Sequence, residues 1–220
     1  MYELPVKYLD HVTAPFEEAP DLAVLMEIGA ATKEDAEIGA DGTVALESQL
    51  ESILADAFEA ELIHDAVIAR SAAQRLNFWA MREGTLDAMQ MHGNWVMNDI
   101  SFQVSDLPGA IADMEAAFAA IAPGPFCVAF GHMGDGNLHI NARPYDRDPS
   151  ECPDEVAAIK DAVRDTVVKW RGSISAEHGI GTDKQQDMKR LKDPVAYEMM
   201  KAIKAALDPH NLLNPGKVLL

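Results

Sequence analysis

A chain of 220 residues, 48% of them hydrophobic, carries enough apolar mass to bury a core of its own, as one domain or one large unit. Its formal charge of −18, from 36 acidic against 18 basic residues, excludes the basic stripe that nucleic-acid binding needs and gives no long-range pull on an anionic substrate, so any carboxylate recognition must be local. Cys127 and Cys152 make no disulfide framework and point to a reducing cytoplasm, residues 1–10 have no basic-then-apolar leader layout, and no apolar run approaches the roughly 20 residues of a membrane helix.

Residues 22–28 form a short apolar run suited to a buried strand, and the i, i+3, i+4 apolar spacing across 44–60 predicts a helix. Residues 62–69 read as a second strand. Ser71 is placed to cap a long helix carrying Trp79, Met81, Leu86 and Met89 at helical spacing, a stripe that reads as core packing, and Gly93 ends it. A strand over 99–104, an Ala-rich helix over 106–120 and the breaker Pro123-Gly124-Pro125 come next. The hairpin of residues 126–142 follows, with Asp135-Gly136 as a two-residue type I′ turn, a conformation that needs positive φ at both central positions. A helix over 153–169, a short strand over 173–176 and helices over 183–191 and 195–207 close the chain, with no internal repeat and no low-complexity linker. Strands separated by helices, plus one tight hairpin, predict an α+β fold: an antiparallel sheet with helices packed on one face.

If Asp135 and Gly136 make the turn, Gly134 pairs with Asn137 and His132 stands opposite His139, with Cβ atoms roughly 4.5–5.5 Å apart. Two imidazoles so placed can converge on one divalent ion at about 2.0–2.1 Å each, and equally can be satisfied polar residues across a common turn. Asn141 shares their face by strand alternation. A third donor is available in Ser173-Ile-Ser-Ala-Glu177-His178-Gly-Ile-Gly181. There the glycines let the backbone leave strand alternation, so that Glu177 can join two imidazoles while His178 remains a base. Two histidines and a carboxylate with an open position suit a catalytic rather than a structural metal. Taken alone, the segment reads better as a surface loop with an ordinary Glu-His pair.

Three stretches read together carry more. Gly131-His-Met-Gly-Asp-Gly-Asn-Leu-His-Ile-Asn141, then Ser175-Ala-Glu-His-Gly-Ile-Gly181, then Asp208-Pro-His-Asn-Leu-Leu-Asn-Pro-Gly-Lys217 resemble the C-terminal half of the FAD-linked oxidases. That family includes D-lactate dehydrogenases, D-2-hydroxyglutarate dehydrogenases and the flavin subunit of glycolate oxidase. Trp79-Ala-Met-Arg-Glu83 is similar to a further family segment. The resemblance implies that residues 1–220 form a substrate-binding cap domain built on a ferredoxin-like sheet with C-terminal helices. The FAD-binding domain that precedes this part in the family is expected to lie outside the chain, which has no Gly-rich phosphate-cradling loop after a strand.

The same resemblance implies site roles. His132, His139 and Glu177 match the metal ligands, with zinc suited to the set and Mn²⁺ or Fe²⁺ open to it by ligand type. His178 matches the group that takes the substrate hydroxyl proton, Arg82 an arginine that holds the substrate carboxylate, Asn141 a neighbour of the substrate and Asn214 a residue that approaches the flavin. Without the resemblance, Arg82 is an exposed helix arginine paired with a nearby acid and Asn214 a turn residue. One departure stands out. The hydroxyglutarate-type members carry a threonine a helical turn after that arginine and a lysine further on, and these places fall on Leu86 and Met97 here, which favours a smaller or more apolar D-2-hydroxy acid. The implied activity is oxidation of a 2-hydroxy acid to a 2-oxo acid, with FAD supplied by an FAD-binding domain or subunit and the chain inactive without it. The alternative is a metal-binding remnant without flavin chemistry. A second copy of the chain as a homodimer partner is left open; nucleic acid and a membrane span are not expected.

Overall fold

The computed structural model describes residues 2–39 and 42–220, which pack as two compact units, residues 2–92 and residues 93–220. The first unit is helical: α1 (Glu3–Tyr8), α2 (Ala45–Glu59), α3 (Ala72–Glu83) and α4 (Thr85–His92), with α1 packed on α3 and α4. Ser71 caps α3 as its position predicts, its hydroxyl accepting from the Gln74 N–H at 3.2 Å. The single long helix expected from Ser71 to Gly93 is instead broken at Gly84, where a Cβ would run into the Leu9 side chain and the Ala80 carbonyl. The absent side chain is what lets the chain after α1 approach so closely. Met81 and Met89 of the stripe are buried here with Thr85, Ala88 and with Leu4 and Pro5 of α1, while Trp79 is half-buried and Leu86 is exposed, because the break at Gly84 turns it out of the stripe.

Neither strand expected in this unit forms. Leu22, Val24 and Met26 are exposed, and no strand is present over 22–28 or 62–69. An apolar run becomes a strand only when a neighbouring backbone offers a ladder, and among the described residues none does. The 22–28 segment is held instead by Glu27, whose carboxylate accepts from Arg75 at 3.1 Å and from the Trp79 indole.

The second unit is built on a three-stranded antiparallel sheet in the order β1-β3-β2, from β1 (Asp99–Ser101), β2 (Phe126–His132) and β3 (Asn137–Arg143). Around it run α5 (Leu107–Ala119), α6 (Pro153–Lys169), α7 (Gln185–Leu191) and α8 (Pro194–Leu207). The α+β class expected from the pattern is the class observed. Helix α6 has its expected bounds: Pro153 opens it, Asp154 and Glu155 favour its N-terminal dipole, and Ile159, Val163 and Val167 recur at four-residue spacing on the buried side. Those three, with Ala110, Met114 and Phe118 of α5, pack against Ile100, Leu138, Ile140 and Ala142 of the sheet. Strand alternation therefore assigns one face of β3 to the core and leaves Asn137, His139 and Asn141 on the other.

The hairpin turn differs from the expected one. β2 pairs with β3 in the register His132↔Asn137 and Phe130↔His139, closed by the four residues Met133–Gly136. Only Gly136 takes positive φ (75°), while the Asp135 carboxylate accepts from the Asn137 N–H at 2.9 Å. That side-chain bond makes an Asx-type turn in place of type I′. A Cβ on Gly136 would strike the Phe102 carbonyl, and the Gly136 carbonyl accepts from Phe102 N–H at 3.0 Å, tying the turn to the end of β1. The expected and observed registers differ by two residues, an even slip that keeps His132, His139 and Asn141 on one face. β1 is also shorter than the expected 99–104, and the strand expected over 173–176 is reduced to one bridge, Ser101↔Ser173.

Candidate metal centre

The site starts from a row across the sheet. β1 pairs with β3 so that Asp99 stands opposite His139, and β2 sets Phe130 on the other side of His139, its ring 5.1 Å away between centroids. Beyond the Ser173 bridge the backbone turns, with Gly179 and Gly181 at φ 78° and 56°, and brings Glu177 and His178 over this row. Asp99 holds that turn from below. Its carboxylate accepts from the Glu177 N–H at 3.2 Å, the His178 N–H at 2.9 Å and the Ser175 hydroxyl at 3.2 Å.

The result is a compact donor set. His139 Nε2 is 3.0 Å from Glu177 Oε1 and His178 Nε2 is 3.7 Å from the same oxygen. The two rings stack with centroids 5.4 Å apart. Their other nitrogens face the opposite way: His139 Nδ1 is 3.8 Å and His178 Nδ1 3.9 Å from the Asp99 carboxylate. One ligand atom from each of Asp99, His139, Glu177 and His178 lies within 4.8 Å of the others. Two ligand atoms on one tetrahedral zinc, each about 2.0–2.1 Å from it, stand about 3.3 Å apart, which the 3.0 and 3.7 Å separations bracket. The second carboxylate oxygen, Glu177 Oε2, accepts from Asn137 Nδ2 at 2.9 Å, leaving Oε1 to the imidazoles. Asn137 Oδ1 is buried with no hydrogen-bond partner among the described residues, a polar atom of the kind that a bound molecule satisfies.

Electrostatics keep Asp99 ionised. Burial pushes its carboxyl up, but the His178 and Glu177 N–H groups together with the Lys184 ammonium outweigh that and hold it below the ordinary carboxylate range. Lys184 Nζ lies 3.5 Å from Asp99 Oδ2 and donates to the Asp99 carbonyl at 3.2 Å, so the buried charge is paired.

Of the residues singled out in the sequence, the structure brings His139, Glu177 and His178 together. His132, exposed at the end of β2, stands opposite Asn137 and diagonal to His139 on the same face, and it is not among the four residues whose ligand atoms cluster. Asn141 shares the face but is only 1% exposed, and its Oδ1 accepts from the Asn98 N–H at 3.1 Å. Arg82 is half-buried on α3, in the helical unit. Leu86 and Met97 are 41% and 50% exposed. Asn214 sits at φ 44° in the turn after α8, with its carbonyl accepting from Lys217 N–H at 3.2 Å. Asp208 organises that turn by accepting from the Leu212 and Leu213 N–H groups, and its hydrogen bond from Lys204 holds its carboxyl down at about 2. Asp99, Asn137 and Lys184 were not legible beforehand as parts of the site. Asn137 lies inside the histidine hairpin motif, so adjacency offered a signal; Asp99 shows its role only once the β1–β3 register is known.

Residues 35–218 match the family described as FAD linked oxidases, C-terminal domain. The chain is 35% identical over 208 residues to a D-2-hydroxyglutarate dehydrogenase of Stutzerimonas stutzeri (strain A1501), an alignment covering 94% of this chain and 42% of that protein. It is 34% identical over 218 residues to the mitochondrial D-2-hydroxyglutarate dehydrogenase of Arabidopsis thaliana, covering 99% of this chain and 36% of the relative. The mitochondrial D-2-hydroxyglutarate dehydrogenase of Danio rerio is 33% identical over 208 residues, with 94% of this chain and 36% of the relative covered. The chain thus spans less than half the length of these relatives. No helix among the described residues is long and apolar enough to cross a membrane.

Proposed function

We propose that this chain, which belongs to the FAD linked oxidases, C-terminal domain family, is the substrate- and metal-binding half of a flavin-dependent D-2-hydroxy acid dehydrogenase. The observation that carries the reading is the convergence of His139 Nε2 and His178 Nε2 on one oxygen of Glu177. A divalent ion, zinc by ligand type, would be held by His139, Glu177 and His132 and would supply Lewis acidity at the substrate's hydroxyl and carboxylate oxygens, with FAD as the hydride acceptor. His139 and Glu177 are fixed by the sheet and by Asn137; His132 would close the set by swinging in from its diagonal position. His178, whose side chain is 61% exposed, takes the hydroxyl proton as the substrate becomes a 2-oxo acid. Arg82 clamps the substrate carboxylate with paired donors, a geometry that suits guanidinium better than ammonium. Asn141 would back the substrate face and Asn214 would approach the flavin.

One distance favours a second ligand set. With His178 Nε2 already 3.7 Å from Glu177 Oε1, His178 in place of His132 would complete the metal ligands. Metal content separates the two: His132→Ala loses the ion in the first arrangement, and His178→Ala loses it in the second.

The flavin half of the reading has its own test. The chain alone is expected to purify colourless and to show no dye-linked oxidation of D-2-hydroxy acids, and to gain that activity when a family FAD-binding domain is supplied in trans. Stoichiometric yellow flavin surviving gel filtration on the chain alone would contradict it. Zinc binding with no turnover after flavin-domain addition would leave a metal-binding domain without flavin chemistry.

On substrate, the names of the relatives favour the dicarboxylate D-2-hydroxyglutarate. Leu86 and Met97, neither able to pair with a second carboxylate, favour a monocarboxylate instead. D-lactate-like substrates are expected to exceed D-2-hydroxyglutarate in kcat/KM; the reverse order would show that another cation meets the second carboxylate.

A further inference from the structure

We propose that Asp99 is the positioning residue of this centre: a buried carboxylate that does not ligate the ion but presets Glu177 to meet it and His178 to stand beside it. The inference rests on the metal reading above and extends it to a residue outside the ligand set. Asp99 is 3% exposed and locked by the β1–β3 ladder opposite His139. From there it reaches three parts of the centre at once.

First, it takes the backbone N–H groups of two consecutive residues, Glu177 and His178, at 3.2 and 2.9 Å. The segment carrying them has no strand ladder: one bridge at Ser173 precedes it, two positive-φ glycines follow, and its other bonds run mostly within the turn, such as Ser175 Oγ to the Gly179 carbonyl at 2.9 Å. Fixing consecutive amides to one rigid strand sets where both side chains start, and so removes much of the ordering cost from metal binding. Second, both imidazoles turn Nδ1 toward Asp99 and Nε2 toward Glu177 Oε1. At 3.8 and 3.9 Å these are charge contacts rather than hydrogen bonds, and a carboxylate on the Nδ1 side favours the tautomer that carries its proton there, which leaves the Nε2 lone pair of His139 for the ion and that of His178 for the hydroxyl proton. Third, its acceptor capacity is used. A carboxylate offers roughly four lone-pair sites. The two amides occupy Asp99, Lys184 stands 3.5 Å away, and the Ser175 hydroxyl is shared between Asp99 at 3.2 Å and the Gly179 carbonyl at 2.9 Å, which leaves the ligating role to Glu177 Oε1.

The test is zinc affinity of the full chain by chelator competition, with amide hydrogen exchange of the metal-free protein measured by NMR. Asp99→Ala is expected to weaken zinc binding by about 10–100-fold while still binding one ion at saturating zinc, as loss of an outer-shell partner does. Exchange at the Glu177 and His178 amides should quicken while Leu138 and Ile140 in β3 keep their protection, separating a local effect from general unfolding. Asp99→Asn, isosteric and neutral, should weaken binding in the same direction by about tenfold and carries the test if the alanine variant does not fold. Glu177→Gln serves as the ligand control, with the larger loss. Wild-type zinc affinity in both Asp99 variants would overturn the inference and leave the metal reading standing. Loss of all zinc in Asp99→Asn, equal to that in Glu177→Gln, would overturn it by making Asp99 a ligand. A wild-type chain that binds no zinc would overturn the metal reading and the inference with it.

Discussion

His178→Ala, assayed with a family FAD-binding domain supplied in trans, is expected to lower kcat by about 10²–10⁴-fold, the usual cost of removing a general base. Zinc content should remain at the wild-type level. The expectation follows from where the ring sits. Its backbone N–H is pinned to Asp99 at 2.9 Å, while its side chain is 61% exposed, so one end is fixed and the other is open to a substrate hydroxyl. Glu177 at the neighbouring position is held differently, one carboxylate oxygen to Asn137 and the other facing His139 Nε2 at 3.0 Å. Those contacts suit a ligand fixed in place rather than a group that must gain and release a proton in each turnover. The two assignments are separated by paired measurements. If His178 is the base, His178→Ala keeps zinc and loses rate, and Glu177→Ala loses zinc. The opposite pattern, zinc lost in His178→Ala and retained in Glu177→Ala, would exchange the roles.

Arg82→Ala is expected to raise KM by roughly 10²-fold with a smaller change in kcat, because a clamp on the substrate carboxylate contributes about equally in the ground and transition states. The size follows from the strength of charge-assisted paired hydrogen bonds between guanidinium and carboxylate. Arg82→Lys keeps the charge but loses the fork, and should recover only part of the affinity. A kcat loss as large as the KM change would place Arg82 in the chemical step; no change in either would return it to an ordinary half-buried helix arginine.

What could be read from the sequence follows the range of the interactions involved. Helix α6 was legible to its ends because its determinants are local: Pro153 and two acids at the start, then apolar residues every fourth position. The hairpin was legible as a hairpin, but its register was not. Asp135 and Gly136 carry the composition of a two-residue turn, yet the Asp135 carboxylate bonds the Asn137 N–H and lengthens the loop to four residues. Because the resulting slip is even, the face assignment of the histidines survived a wrong turn type. The runs at 22–28 and 62–69 have strand composition, but pairing depends on a partner edge that composition does not reveal.

The site divides in the same way. His139, Glu177 and His178 stand in local motifs dense in chemistry-bearing residues, and reading those motifs together found them. Asp99 stands in a short mixed stretch, Asn98-Asp-Ile-Ser101, with no motif around it. Its role comes from a cross-strand partner forty positions away and from a turn nearly eighty positions away, at His139 and at Glu177-His178. Nothing local marks an acid as the anchor of a distant loop, whereas burial together with several donors around one carboxylate does so at once.

The central claim, that this domain carries a metal centre at His139 and Glu177, is tested most directly by metal content. Elemental analysis of the chain under metal-replete conditions is expected to find about one zinc per chain, and none in the His139→Ala, Glu177→Ala double variant, because three convergent ligands are needed to hold the ion tightly. The metal-free protein should stay folded, since the core of Ile140, Met114 and Ile159 lies on the opposite face of the sheet and does not depend on the ion. No zinc in the wild-type chain, or equal zinc in the double variant, would contradict the account.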